Sequence, residues 1–377
     1  MNVKTLDSLG DVTGKRVLLR LDLNVPVSGG AVVDAFRIDS ALPTIALLRE
    51  RGAKVGIVAH IENEEGASLL PVFEYLKTKT PLQFVPHLPE LAAALAHGVP
   101  GSVVLMENIR QYEGEKKNDS AFSQELAAIA DMYVNDAFSV SHRAHASVAG
   151  VTAFLPSVAG PLLLKEIEEL SRAFTPQHPL FLVLGGAKFE TKLPLVEKFL
   201  SIADTIFIGG ALGNDLLKAR GLPVGKSKLS KTEIDMPAIA SSKNVIAPLD
   251  VVVSSEAGGV VKLVADVGAE DTIVDSGPQT AELLAKTIAE AKMVIWNGPF
   301  GYFEGGYGRG TEEFARTLAA QKSSVYSILG GGDTLSAIER LHCNDSFSFV
   351  STGGGAMLDF LSSGGQLPGI LPLVQKE

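Results

Sequence analysis

Arginines and histidines gather in the first part of this chain, and glycine runs in the second. Arg20, Arg37, His60, Arg110, His142, Arg143 and His145 fall within residues 20–145. Gly185-Gly186-Ala187-Lys188, Gly330-Gly331-Gly332-Asp333 and Gly353-Gly354-Gly355 fall within residues 185–355. Guanidinium forks donate paired, coplanar hydrogen bonds, which suit compact carboxylate and phosphate groups. Glycine runs let backbone N–H groups and helix N-termini come close to a polyphosphate. One half is thus equipped for a small acid and the other for a nucleotide. Two such ligands on one chain point to group transfer between them.

Several of these groups follow predicted strands. Asp22 and Asn24 follow the apolar run Arg16–Leu21 and share one side of it by alternation. Ligands of open parallel sheets bind beyond such carboxyl ends, although Asp and Asn also serve ordinary turns. Asn135 to Ser147 holds His142, Arg143 and His145 among small residues, which suits an anion. A metal there would lack a carboxylate at useful spacing and would face the Arg143 charge. Lys188 and Lys192 are four apart after the strand Leu180–Leu184, so on a helix they share a face. Two cations in a first helical turn oppose the dipole unless a polyphosphate is bound there. Asp333 follows a glycine run and suits either a helix cap or Mg2+, which takes one or two carboxylates plus phosphate oxygens. Gly221 to Ser227 imitates a P-loop but has three residues between its glycines where four are needed. No G-x-G-x-x-G pattern is present, which argues against a nicotinamide-dependent dehydrogenase.

The elements that must position these groups alternate between strand and helix from end to end. Predicted strands are Arg16–Leu21, Lys54–Ala59, Val103–Met106, Met132–Asn135, Leu180–Leu184, Thr205–Ile208, Ile273–Asp275, Met293–Trp296, Val325–Leu329 and Phe347–Val350. Predicted helices are Ser40–Arg51, Ala121–Ala130, Lys165–Ala173, Leu193–Leu200, Thr280–Ala291, Thr311–Ala320 and Leu335–Leu341. This alternation indicates an α/β chain with largely parallel sheets. Its 377 residues suit two domains, with a boundary where Pro and Gly cluster near Pro156–Leu164.

Charged residues make up 20% and apolar residues 46%, the balance of a folded globular protein. A net charge of −10 argues against a nucleic-acid partner. Cys343 is the single cysteine, which excludes an internal disulfide and fits a reducing cytoplasm. The start of the chain lacks the basic and apolar regions of a signal peptide. The stretch 144–164 carries no Asp, Glu, Lys or Arg, but its Gly and Pro residues fit a buried connector better than a membrane helix.

Taken together, the motifs resemble the phosphoglycerate kinase family over essentially the whole chain. The matching segments are RLDLNVP at 20–26, RIDSALPTI at 37–45, MENIR at 106–110 and NDAFSVSHRAHAS at 135–147. They continue with LGGAKFETK at 184–192, WNGPFGYFE at 296–304, LGGGDT at 329–334 and STGGGAMLDFL at 351–361. The resemblance implies reversible, Mg2+-dependent phosphoryl transfer between ATP and the carboxylate of 3-phosphoglycerate, a step of glycolysis and gluconeogenesis. It implies a cytoplasmic monomer of two Rossmann-like three-layer α/β/α domains with largely parallel sheets, joined by a hinge helix. The acid-binding domain would span 1–163 and the nucleotide-binding domain 164–362, with a tail at 363–377 packing back on the first.

By motif position, Asp22, Asn24, Arg37, His60, Asn63, Arg110, His142, Arg143 and His145 would form the acid site. Gly186, Ala187, Lys188, Lys192, Gly210, Asn297, Pro299, Gly301, Glu304, Gly331, Gly332, Asp333 and Thr334 would form the nucleotide site. Arg37, Lys188, Gly332 and Gly354 would act on the transferring group, and Asp333 would hold Mg2+. The family reads S-H-L-G-R-P after its second strand. Here Ala59-His60-Ile61-Glu62-Asn63-Glu64-Glu65 stands instead, so Asn63 replaces a substrate-contacting arginine. A second reading therefore stays open: a nucleotide-binding relative with impaired acid binding.

Overall fold

The computed structural model describes residues 1–62, 68–187, 190–230, 236–256 and 258–375. The chain divides into two compact units, Met1–Glu168 with Ser363–Glu377, and Glu169–Ser362. The division falls inside the helix Pro161–Ser171.

The first unit is built on six parallel strands in the order Gln83–Val85, Val103–Met106, Lys54–Val58, Arg16–Leu21, Met132–Asp136, Ser157–Ala159. Their apolar residues run without interruption because both sheet faces are covered. Val17, Leu19 and Leu21 face one core with Val55 and Ile57, under the helices Phe36–Glu50 and Leu70–Lys77. Leu18, Val58, Val104 and Tyr133 face the other, under Leu88–His97 and Ser120–Ala128. Three layers result. The helix Phe36–Glu50 begins ahead of the predicted Ser40, which places Pro43 beyond its first turn. The Asp34 carboxylate supports this earlier start by accepting from the Phe36 amide at 2.9 Å.

The C-terminal segment belongs to this same unit. Lys4 N–H donates to Leu373 O at 2.8 Å, and Gln375 N–H to Asn2 O at 2.9 Å. Inside, the Asn135 side-chain amide donates to Gly369 O at 3.0 Å, while Gly369 N–H donates to Ser141 O at 2.8 Å. A side chain at Gly369 would collide with Val148 and the Ser141 backbone. Asn135 thus anchors the tail.

Asp136, at the same strand end, is buried against Thr44 Oγ1 and the Leu163 amide at 3.0 Å. Desolvation is the largest influence and pushes its carboxyl up to about 6, against the opposing hydrogen bonds. A native-state value above the unfolded one means that folding favours the protonated form. Stability from this group is therefore retained at acid pH and lost as pH rises through about 6. Asp136→Asn should accordingly gain on the parent as pH rises from 4.5 to 7.5, by on the order of 2 kcal/mol. Calorimetric midpoints at those two pH values test this; a difference that does not grow with pH defeats it.

The second unit has six parallel strands in the order Val245–Ile246, Thr205–Ile208, Leu180–Leu184, Met293–Asn297, Tyr326–Gly330, Phe349–Val350. The order reverses between Leu180–Leu184 and Met293–Asn297, which opens a crevice at their carboxyl ends. Trp296, Phe300 and Phe314 fill one face of the core. Ile273–Ser276, predicted among the strands of a parallel sheet, lies in a separate antiparallel sheet with Asp250–Val253 and Val260–Leu263. Among the described residues, no helix is long and apolar enough to cross a membrane.

Candidate functional site

In the first unit the charged residues converge beyond the carboxyl ends of the strands. Asn108 organises two of the crossing loops. Its Oδ1 accepts from the Arg110 amide at 3.1 Å, capping a short turn over Ile109–Gln111. Its Nδ2 donates to Ile61 O at 2.8 Å. The Arg110 side chain is thereby set in the interior, only 4% exposed. Nε and Nη2 of Arg110 have no hydrogen-bond partner among the described residues. Nη1 lies against the Glu62 carboxylate as an ion pair, without the direction of a hydrogen bond.

The neighbouring groups are arginines, imidazoles and two carboxylates. Arg20 is fully buried and donates from Nε to Ser147 Oγ at 3.0 Å, while its Nη2 meets His60 Nδ1 at 3.3 Å. Buried Glu115 accepts from the Ser147 amide at 2.8 Å and from its hydroxyl at 2.6 Å, and stands 3.8 Å from His145 Nδ1. Burial, then the surrounding Arg20, Arg110 and Arg143 charges, drives His60 far below its ordinary value. Burial, Arg110 and Arg143 bring His145 down to about 4. Both imidazoles are neutral at pH 7, so the positive charge is that of the arginines. Arg37 Nη1 donates to Asn24 O at 3.0 Å and pairs with Asp22 at 3.1 Å. Ser139 Oγ donates to Asp22 as well.

Sequence reading and structure differ on several points here. Arg20, Arg37, His60, Arg110, Arg143 and His145 gather electrostatically or by contact. His142 receives a hydrogen bond from Arg143 Nε at 3.2 Å, which joins it to a member of that group. Asn63 lies outside the described residues. Asn108 and Glu115 are members that sequence reading passes over, while Glu62 enters it only within the departure around Asn63. Glu115 is embedded in a run of charges that reads as a solvated surface, yet it is fully buried.

In the second unit the glycine loops meet at the crevice. Gly185 N–H donates to Asn297 O at 2.9 Å and Gly186 N–H to Pro299 O at 2.7 Å. A side chain at Gly210 would strike the Gly186 amide and Pro299 O, both at 2.8 Å. These contacts require glycine and bring two backbone turns together. Beside them opens a cavity of about 610 Å3, whose lining includes Ala187, Gly301, Tyr302, Glu304, Asp333 and Arg340. Its size suits a nucleotide.

Asn297 is buried, and its Nδ2 has no hydrogen-bond partner among the described residues. A Cβ built on Gly331 would meet that nitrogen at 3.1 Å, so the amide faces the Gly331 turn. Beyond it the helix Gly332–Arg340 begins with Asp333 exposed in its first turn; Gly331, not Asp333, holds the capping position. Thr334 is buried, and its hydroxyl accepts from the Gly298 amide at 2.7 Å, a scaffold contact. Gly332 and Gly354 both point into open space.

Lys192 is buried and donates from Nζ to Gly185 O at 2.7 Å. The helix begins only at Leu193, with Lys192 at its cap. Lys192 thus precedes the first turn of this helix, and the expected face shared with Lys188 involves a residue outside the described ones. Lys188 lies outside the described residues. The P-loop imitation is a structural loop. Gly225 packs on the Asp271 and Gly268 carbonyls, and Ser227 Oγ accepts from the Ile273 amide at 2.8 Å. Burial raises the Cys343 thiol, which makes it a poor nucleophile.

A profile of the phosphoglycerate kinase family matches residues 6–364. The chain belongs to the phosphoglycerate kinase family. It is similar to the solved phosphoglycerate kinase of Coxiella burnetii, with 38% identity, 98% of each chain covered and a TM-score of 0.86. The phosphoglycerate kinase of Pyrococcus horikoshii OT3 shares 29% identity, again over 98% of each chain, with a TM-score of 0.85. The protein is therefore a phosphotransferase of two α/β units.

Proposed function

We propose that this enzyme catalyses reversible, Mg2+-dependent phosphoryl transfer between ATP and the carboxylate of 3-phosphoglycerate, giving 1,3-bisphosphoglycerate and ADP. The observation that carries the acid half of this reading is the buried Arg110 guanidinium, with Nε and Nη2 unsatisfied among the described residues. A buried donor set of this kind is costly unless an anion completes it. The phosphate of the acid would take Arg110 and Arg143, with neutral His60 and His145 as hydrogen-bonding neighbours. Arg37, held by Asn24 and Asp22, would stand by the carboxylate.

The nucleotide would occupy the glycine-walled cavity, with Glu304 suited to ribose hydroxyls and Asn297 Nδ2 to a phosphate oxygen. A carboxylate nucleophile is already ionised at neutral pH, so no general base is needed. What remains is alignment and neutralisation of the transferring group. Lys188, Arg37 and the backbone amides at Gly332 and Gly354 would supply these.

Among the described residues no three His, Cys, Asp or Glu side chains cluster as a metal cage. Asp333 and Glu304 are exposed carboxylates of the cavity lining, and Asp333, at the start of the helix Gly332–Arg340, fits a magnesium ion that draws its other ligands from phosphate and water. When bound there, the ion would offset the charge of the nucleotide phosphates. We further propose that the enzyme works in the cytoplasm as a monomer.

One observation favours the impaired-acid alternative: Glu62 already sits on Arg110. A coupled assay of ATP consumption separates the two readings. Consumption should require 3-phosphoglycerate, cease with a chelator and return with excess Mg2+. Nucleotide binding without acid-dependent consumption would favour the alternative instead.

A further inference from the structure

Glu62 is held at the acid site by its backbone as well as by its charge. Its amide donates to Asn24 Oδ1 at 2.9 Å, and Asn108 fixes the preceding Ile61 carbonyl at 2.8 Å. From there the carboxylate reaches two cations through a single oxygen. Oε1 lies against Arg110 Nη1 and 3.3 Å from Lys116 Nζ. The Glu62 side chain is 52% exposed and that of Arg110 is 4% exposed. The carboxylate thus stands between a buried guanidinium and solvent. Burial works to raise its pKa, but contact with Arg110 and Lys116 outweighs that and holds the carboxyl below its usual range. It is charged at neutral pH.

This arrangement is an anion on a guanidinium fork, and an incomplete one. A guanidinium is best matched by two oxygens in its plane. Glu62 offers one, and Nε and Nη2 of Arg110 stay without a hydrogen bond among the described residues. A phosphate brings three oxygens and up to two charges, and so can satisfy more of the fork than the single oxygen it displaces. A chloride or a simple carboxylate brings much less.

We propose that Glu62 is a specificity-determining residue: an intramolecular competitor that occupies Arg110 until a phosphate-bearing acid displaces it. The acid's affinity is lowered by the ion pair that must be broken, and weakly held anions are shut out. This rests on the acid site assigned above and adds to it. It also gives the impaired-acid reading a cause among the described residues, separate from Asn63.

The test is calorimetric titration of the full chain with 3-phosphoglycerate and, separately, with inorganic phosphate. The parent is compared with Glu62→Gln and Glu62→Ala, with ADP as a control ligand. Neither substitution removes the backbone bond to Asn24. Both variants should bind each phosphate compound more tightly, by roughly tenfold, the scale of one partly exposed ion pair on a desolvated partner. ADP affinity should not change. A Glu62 that merely supported the loop would give the opposite sign, because its loss would weaken binding. Unchanged or weaker phosphate binding in both variants, or none in any form, overturns the proposal. If inorganic phosphate tightens while 3-phosphoglycerate binds no form at all, Glu62 is the competitor and the assignment of the acid fails.

Discussion

Arg110→Met should raise the KM for 3-phosphoglycerate by roughly thirtyfold to several thousandfold, the equivalent of about 2–5 kcal/mol for one member of a buried charge pair. The KM for ATP should stay where it is, since Arg110 and the nucleotide cavity lie on different units. Thermal stability sharpens the test. A side chain that is 4% exposed and structurally important would leave a destabilised protein when removed. Arg110 is different, because its guanidinium carries a desolvation cost and, among the described residues, pairs with Glu62 alone. Exchanging a poorly satisfied buried cation for an apolar side chain of similar reach is often neutral or stabilising. The expected outcome is therefore a large loss in acid affinity with a melting midpoint equal to the parent's or higher. A lowered midpoint with an unchanged KM would make Arg110 a structural residue and remove the central support for the acid site.

That combination also explains which parts of the molecule were legible in the sequence. The parallel strands were easy to find because their apolar runs are buried on both faces, and Arg16–Leu21, Val103–Met106, Leu180–Leu184 and Thr205–Ile208 fall where the runs do. Short helices such as Leu88–His97, and Gly210–Ala219 with its glycine start, carry weaker signals and escaped. So did the antiparallel sheet, since Val260–Leu263 is an exposed edge whose neighbours are set by tertiary pairing.

The same distinction holds at the sites. Arginines and glycines announce themselves by type. Glu115 and Asn108 do not, because a carboxylate in a charged run looks like surface and an asparagine after a strand looks like a turn; Glu62 shows only as part of an unusual acidic loop, without its partner. Their importance arises from what faces them, which only the fold supplies. Motif membership also takes in residues whose contacts are structural, as at Asn135 and Thr334. Both lie in segments shared with the family, yet one ties down the tail and the other holds the Gly298 loop.

On the nucleotide side the largest effect belongs to Lys188. Its two predecessors, Gly186 and Ala187, line the cavity at the point where the strand order reverses. A cation on this loop would be worth most when charge builds up on the group in transit, and less when the nucleotide is simply bound. Lys188→Met should therefore lower kcat by about a hundred- to a thousandfold, the usual cost of one preorganised donor, and alter ADP affinity far less. Lys192 provides the comparison. Its ammonium is buried and committed to Gly185 O at 2.7 Å, so Lys192→Met should lower the melting midpoint and ADP affinity together. Two lysines of one motif would then separate into one that acts on turnover and one that holds the loop. If Lys188→Met turns over at the parental rate, the transferring group is neutralised elsewhere, and Arg37 becomes the residue to test next.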